Sequence, residues 1–249
     1  MKNIVLIGLI TTTIFFTGCA STGPTSRADP FEPFNRATYQ FNEVVDNALL
    51  TPIAKGYTAI TPGIVRTGVS NVFTNIGDVA TAVNNLLQGK VTHALSDTGR
   101  FIVNSTLGIL GLLDVATPMG LEKHDEDFGQ TLGKWGINSG PYLVIPFMGP
   151  STLRDGVGRV ADSKLGWSQY VDHVPTRNSV YALEVIDLRA NLLGASKTLD
   201  EAALDKYQFL RDAYLQRRLN QVYDGKIPDA KRDQLEADLE PIVESAPPK

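Results

Sequence analysis

The densest group of chemistry-bearing side chains is Glu122-Lys123-His124-Asp125-Glu126-Asp127. One imidazole among carboxylates suits a hard divalent cation or an acid–base step. Charge runs are more often solvated loops, however, and nothing else in the chain completes a metal site. One Cys and three His in 249 residues exclude an intramolecular disulfide and leave too few ligands for an ordinary zinc site. His93 and His173 have no Ser or carboxylate partner at a spacing that would build a base. Gly68-Val69-Ser70-Asn71-Val72 lacks the last Gly of a nucleophile elbow. Gly133-Lys134 lacks the upstream Gly of a phosphate-binding loop, and Gly156-x-Gly158 has no βαβ context. These residues support no catalysis, metal or cofactor.

A second constellation is polar without being reactive. At 100° per residue, Asp97, Arg100, Asn104, Gly108 and Gly111 fall within about 80° of one another on a helix. The rest of that circumference is mostly Ile, Leu, Val and Phe. The stretch Phe101 to Leu121 has Asp114 as its only charge and reads as a nearly continuous apolar helix of 21 residues, interrupted by Gly108, Gly111, Pro118 and Gly120. Upstream, Val65, Val69, Val72, Phe73, Ile76, Val79, Val83 and Leu86 recur at helical spacing. The opposite face there carries Ser70, Asn71, Thr74, Asn75, Asp78, Thr81, Asn84 and Asn85, polar but barely charged.

The elements that position these residues are helical. Pro33 suits a first helical turn, and Phe34, Ala37, Phe41 and Val44 continue the period until Thr51-Pro52. Val180 to Leu193 is amphipathic, Asp200 is placed to cap a helix running to about Val222, and Pro228 to Leu239 forms a short charged helix. Tyr142 to Met148, bracketed by Gly140-Pro141 and Gly149-Pro150, reads as a rigid loop or small hairpin. Residues 64–121 hold six charged side chains in 58 positions, whereas residues 180–240 hold 21 in 61. The first stretch can lie against lipid and the second cannot; the alternative for the first is the buried core of a soluble helical domain.

The chain also carries an address. Met1-Lys2-Asn3 and the uncharged run Ile4 to Phe16 form a signal peptide, too short for a comfortable transmembrane helix. It ends at Thr17-Gly18-Cys19, which resembles a bacterial lipobox with Cys19 as the acylated residue. Ordinary secretion with an unmodified Cys is the alternative. Ala20 follows, without the Asp that retains lipoproteins in the inner membrane, so the outer membrane is expected. Removing residues 1–18 subtracts Lys2 and leaves 22 basic against 27 acidic residues, no footprint for nucleic acid. Residues 20–29 read as a flexible tether reaching about 33 Å. The expected organisation is a leader over 1–18, lipidated Cys19 and tether over 19–29, a helical domain over 30–224, and a charged helix and tail over 225–249.

Several ordered motifs resemble those of the MlaA/VacJ outer-membrane lipoproteins. They are Asp29-Pro30-Phe31-Glu32-Pro33-Phe34-Asn35-Arg36 with Phe41-Asn42, and Glu126-Asp127-Phe128-Gly129-Gln130-Thr131-Leu132-Gly133-x-Trp135-Gly136. Gly140-Pro141-Tyr142-Leu143, Gly149 to Asp155, Tyr207 and Arg211-Asp212-x-Tyr214 continue the match, from about Asp29 to Arg218. The resemblance implies an all-α fold, a ring of helices lying in one membrane leaflet with a central amphipathic channel. It implies that phospholipids leave the outer leaflet through this channel, that trimeric porins are partners, and that a soluble periplasmic carrier receives the lipid. No enzymatic step is implied.

In that setting Asp97, Arg100 and Asn104 are candidates to line the path on the headgroup side, with Gly108 and Gly111 allowing close approach. A structural ion pair between Asp97 and Arg100, and tight helix packing at the two glycines, are the competing expectations. Residues 229–249, with six acidic and three basic side chains, are candidates for docking the carrier, against the alternative of a merely solvated terminus. The competing function is a structural lipoprotein that scaffolds porins without moving lipid. A phospholipase would need a nucleophile–base pair, and the sequence offers none.

Overall fold

A computed structural model describes residues 26–241; the leader, Cys19 and the end of the tail lie outside them. The described chain is helical apart from one two-stranded hairpin. Helix α1 (Glu32–Val45) starts as its sequence suggests, with Pro33 in the first turn and Glu32 at the positive end of the helix dipole. The expected stop at Thr51-Pro52 does not occur. One π turn (Asp46–Leu50) links α1 to α2 (Thr51–Ile60), with the Thr51 N–H reaching back to the Asp46 carbonyl. Proline donates no N–H and its ring crowds the carbonyl four residues back, so a widened turn keeps the chain helical through Pro52.

Helices α3 (Gly63–Leu87) and α4 (Val91–Thr106) form a hairpin closed by Gly89 at φ +78°. The apolar helix expected over Phe101–Leu121 ends early, at Thr106. Residues 107–121 fold back as successive turns, with Ile109, Leu110 and Gly111 at φ 52°, 57° and 87°. Polar groups near the helix end replace the helical ladder: the Gly111 N–H donates to the Asn104 carbonyl, and Val115 and Ala116 N–H donate to the Asn104 side-chain oxygen.

Downstream lie α5 (Phe128–Lys134), the antiparallel strands β1 (Tyr142–Ile145) and β2 (Gly149–Thr152), and α6 (Leu153–Asp162). Tyr142 stands opposite Thr152 and Ile145 opposite Gly149, so Tyr142 to Met148 is the first strand and turn of a hairpin whose second strand contains the Gly149-Pro150 bracket. A 3₁₀ turn (Trp167–Tyr170) precedes α7 (Val174–Ala202), α8 (Lys206–Val222) and α9 (Asp229–Leu239). Asp200 does not cap α8; it lies inside α7, and Asp205 is the cap, accepting from the Gln208 N–H at 3.1 Å.

Ser26 to Asp29, read as tether, belong to the folded body. Ala28 exchanges backbone bonds with Asp238 and Tyr142, both at 2.9 Å, and buried Asp29 accepts from Asn35 at 2.7 Å and from Tyr207. The conventional apolar core is small: Tyr142, Val144, Tyr207 and Leu215, with Tyr39, Tyr214, Leu235 and Leu239 against it. Among the described residues nine apolar side chains are buried but twenty-one polar or charged ones, so most of the interior is a hydrogen-bonded network. No helix among the described residues is long and apolar enough to cross a membrane.

Candidate functional site

The α3–α4 hairpin is turned inside out relative to a water-soluble helix pair. The buried positions of α3 are Gly68, Asn75, Asp78, Thr81, Asn84 and Asn85, and those of α4 are Ala94, Asp97, Arg100 and Asn104. The apolar faces are outside: Ile64 of α3 is 81% and Leu95 of α4 is 67% exposed, with Val65, Leu86 and Ile102 exposed beside them, and in the turns that follow Leu107 and Leu110 are exposed as well. A buried stripe made mostly of Asn and Thr suits this arrangement, because neutral polar groups need no counter-ions, whereas its three ionisable members, Asp78, Asp97 and Arg100, each face a partner of opposite charge or a ring nitrogen.

The stripe residues on α4 are enclosed: Asp97 is 0%, Arg100 1% and Asn104 3% exposed. Asp97 does not pair with Arg100. It accepts from Asn85 at 2.8 Å and faces the His124 ring at 3.1 Å and its backbone N–H at 3.2 Å. Arg100 instead lies between Asp78, at 3.5 Å from its Nε, and Asp114, at 3.2 Å from its Nη2. Its Nη1 donates to the Thr117 hydroxyl at 2.9 Å and the Leu121 carbonyl at 2.8 Å. The guanidinium therefore ties both helices to the 107–121 turns. Asn104 does the same through its side-chain oxygen, at 2.8 and 2.9 Å from the Val115 and Ala116 nitrogens, and through its amide, 3.2 Å from Asp114.

Burial pushes the Asp78 carboxyl up to about 6, and the Arg100 charge only partly opposes it. Asp114 goes the other way. Burial would raise it, but hydrogen bonds from Thr117, Arg100 and Asn104 hold it down at about 2. Gly108 and Gly111 lie beyond the helix, in the turns. A side chain at Gly108 would meet the Leu113 carbonyl at 2.2 Å, and one at Gly111 would meet the Asn75 amide at 2.8 Å. Both glycines thus let backbone pack tightly against α3 and α4.

The charged run around His124 divides between two polar clusters. His124 serves Asp97 and stacks on His93 with ring centres 4.0 Å apart. Asp127 caps α5 through the Gln130 N–H at 2.8 Å and accepts from Arg218 at 2.6 Å. Arg218 also donates to Asp155 at 3.0 and 2.9 Å, and the Tyr214 hydroxyl reaches the same carboxylate at 2.8 Å. Burial works against ionised Asp155, yet the Arg218 bonds and the Arg218 and Arg154 charges hold it at about 2. Among the described residues no group of three or more His, Cys, Asp or Glu is arranged to hold a metal ion. Sequence reading did not single out Asp78, Asn85, Asp114 and Asp155 as partners; the available signal was a polar helix face too poor in charge to face water.

At the other end of α1, Asn42 grips the hairpin. Its amide donates to the Ile145 carbonyl at 3.0 Å, and its oxygen accepts from the Phe147 N–H at 2.8 Å. Phe41 meets Phe147 edge to face at 5.2 Å.

Three relatives share this framework at the level of sequence. The chain is 37% identical over 214 residues to the intermembrane phospholipid transport system lipoprotein MlaA of Escherichia coli, covering 82% of this chain and 83% of that protein. It is 31% identical to the protein of that name from Haemophilus influenzae, over 93% of this chain and 95% of the relative. An uncharacterized protein of Rickettsia bellii is 38% identical over 191 residues, 76% of this chain and 75% of its own. A solved chain, from work on the structural basis for maintenance of bacterial outer membrane lipid asymmetry, superposes with a TM-score of 0.69 at 34% identity, covering 78% of this chain and 98% of its own. Residues 27–221 match the family model of the MlaA lipoproteins, and they span the inverted α3–α4 hairpin, the Asn42-held strands and the Asp127–Arg218–Asp155 network; the chain belongs to the MlaA lipoprotein family.

Proposed function

We propose that this protein is a lipid-anchored component of the outer membrane that lets mislocalised phospholipids leave the outer leaflet and delivers them to a soluble periplasmic carrier, preserving lipid asymmetry. The observation that carries the proposal is the inverted partition of α3 and α4, with hydrocarbon outside and hydrogen-bonded polar groups inside. The relatives named for intermembrane phospholipid transport support the substrate. Acylated Cys19 is the anchor, the helices lie as a ring in the inner leaflet, and trimeric porins hold that ring in place. Carrier docking falls to the acidic segment from Asp229 onward.

The role of the α4 stripe is to set the shape of the path. Arg100 and Asn104 act by holding the 107–121 turns, with Gly108 and Gly111, in the wall that lipid passes, and Asp97 ties Asn85 of α3 to the chain at His124. No step requires a nucleophile or a cofactor. The test is outer-leaflet phospholipid in cells that carry, lack, or express Arg100→Glu and Asn104→Leu forms of the protein. Loss of the protein raises surface phospholipid, and both variants reproduce the loss while still reaching the membrane. Unchanged surface phospholipid on deletion, with porin complexes falling apart, refutes transport in favour of a porin scaffold.

A further inference from the structure

A cavity of about 570 Å³ lies away from the α3–α4 hairpin, between the Ser26–Phe31 segment, the 133–141 connection, α8 and α9. That volume is within the roughly 300–1,000 Å³ typical of small-molecule sites. Leu215, Leu219, Val222 and Leu235 supply an apolar wall, and Arg27 and Lys231 stand in its lining. Among the described residues neither cation forms an ion pair; Lys231 has only Gln234, at 3.2 Å. Asp238 is the one carboxylate of the lining.

The inner end holds two guanidiniums, balanced by the Asp127 and Asp155 carboxylates. Arg218 is fully engaged by Asp127 and Asp155, but Arg154 is not. Its Nε and Nη2 both bond Asp155, at 3.0 and 2.9 Å, whereas Nη1 has only a 3.5 Å contact to the Ile137 carbonyl. This guanidinium is more than nine-tenths buried and lines the cavity. Gly133 makes room for it, since a side chain there would stand 2.7 Å from Nη1. A buried donor with spare capacity, two cations in the lining and an aliphatic wall together match an amphiphile with an anionic head. One wall, α9, lies beyond residues 27–221 that match the family model.

We propose that this cavity is a second lipid site, which takes the phosphate of a phospholipid between Arg154, Arg27 and Lys231 and lays one acyl chain along α8 and α9. The proposal rests on the transport proposal only for the identity of its ligand. In that setting the site holds a lipid on the segment proposed to dock the carrier.

The test places a photo-crosslinking p-benzoylphenylalanine at Gln234, in the lining, and separately at Asp233, outside it, in the full-length protein in cells labelled with ³²P-phosphate. The result expected is a ³²P-labelled, solvent-extractable lipid adduct at Gln234 and none at Asp233. Arg27→Glu with Lys231→Glu lowers its yield at least fivefold, and Leu219→Trp, which fills the cavity, does the same. The charge reversals leave the Ala28–Asp238 backbone bond in place, so loss of adduct in a chain that still accumulates reports the site. No adduct at Gln234, or equal adducts at both positions that ignore the charge reversals, overturns the proposal. An adduct erased in isolated membranes by excess inorganic phosphate assigns the cations to the free anion and overturns the lipid site. Surface phospholipid is measured in the same cells. Restored asymmetry without an adduct defeats the cavity alone, whereas the expected adduct in cells whose asymmetry never depended on the protein defeats transport alone.

Discussion

Replacing Asp78 by Asn removes a buried charge without changing the shape of its side chain. Asp78 is almost wholly enclosed, and its one cationic contact is the 3.5 Å approach of Arg100 Nε. Its carboxyl is moved from 3.8 up to about 6, so the folded state binds the proton more tightly than the unfolded chain. Ionising it therefore costs the fold about 3 kcal/mol near neutral pH, at about 1.4 kcal/mol per tenfold change in proton affinity. The cost is complete above about pH 6 and fades as pH falls from there toward the unfolded value of 3.8. Arg100 keeps Asp114, Thr117 and the Leu121 carbonyl, so Asp78→Asn strands no positive charge. The variant is expected to gain about 3 kcal/mol near pH 7.5 and only about 1 kcal/mol near pH 4.5. For a chain of this size the larger gain is roughly 6–12 °C in Tm. Thermal unfolding of the mature protein in non-ionic detergent, followed by far-ultraviolet circular dichroism at both pH values, measures it. A variant less stable than the parent near neutral pH, or a gain that does not shrink in acid, would refute the account of Asp78 as a net electrostatic cost.

Three further outcomes are expected. Asn104→Leu strands the Val115 and Ala116 amides and costs roughly 2–4 kcal/mol; limited proteolysis should then cut within 107–121 before any other part of the hairpin. Leu110→Gly relieves a left-handed conformation worth roughly 1 kcal/mol and raises Tm, while removing an exposed apolar side chain; vesicle flotation should show weaker lipid association, and unchanged flotation argues against lipid contact at this turn. Asn42→Ala removes both bonds to the strand hairpin, so amide exchange at Phe147 should accelerate while exchange at Tyr142, held by the Ala28 carbonyl, stays slow.

Helical character was legible from residue periodicity alone, because side chains every three or four positions share a face whatever they pack against. So were the α3 polar face, the family motifs and a rigid element after Gly140-Pro141, read as either a loop or a small hairpin. Local signals failed where two of them competed. Asp200 and Asp205 are both cap-forming residues, and only the Gln208 N–H, three positions after Asp205, distinguishes them. Pro52 looks like a stop because proline breaks an α-helix, yet the π turn before it absorbs the missing hydrogen bond.

What the sequence by itself determined is that α3 and α4 each have one polar and one apolar face. It could not determine which face is the interior, since amphipathicity has a direction only relative to a solvent. Tertiary structure decided that through contacts between residues distant in the chain: Asn85 with Asp97, Arg100 with Asp78 and Asp114, and Asn104 with the Val115 and Ala116 amides. The same contacts ended α4 at Thr106 and turned an apparent apolar helix into a strained, outward-facing loop. Burying a polar group is costly unless most of its hydrogen bonds are made, and for these residues the partners were available only where the chain folded back on itself.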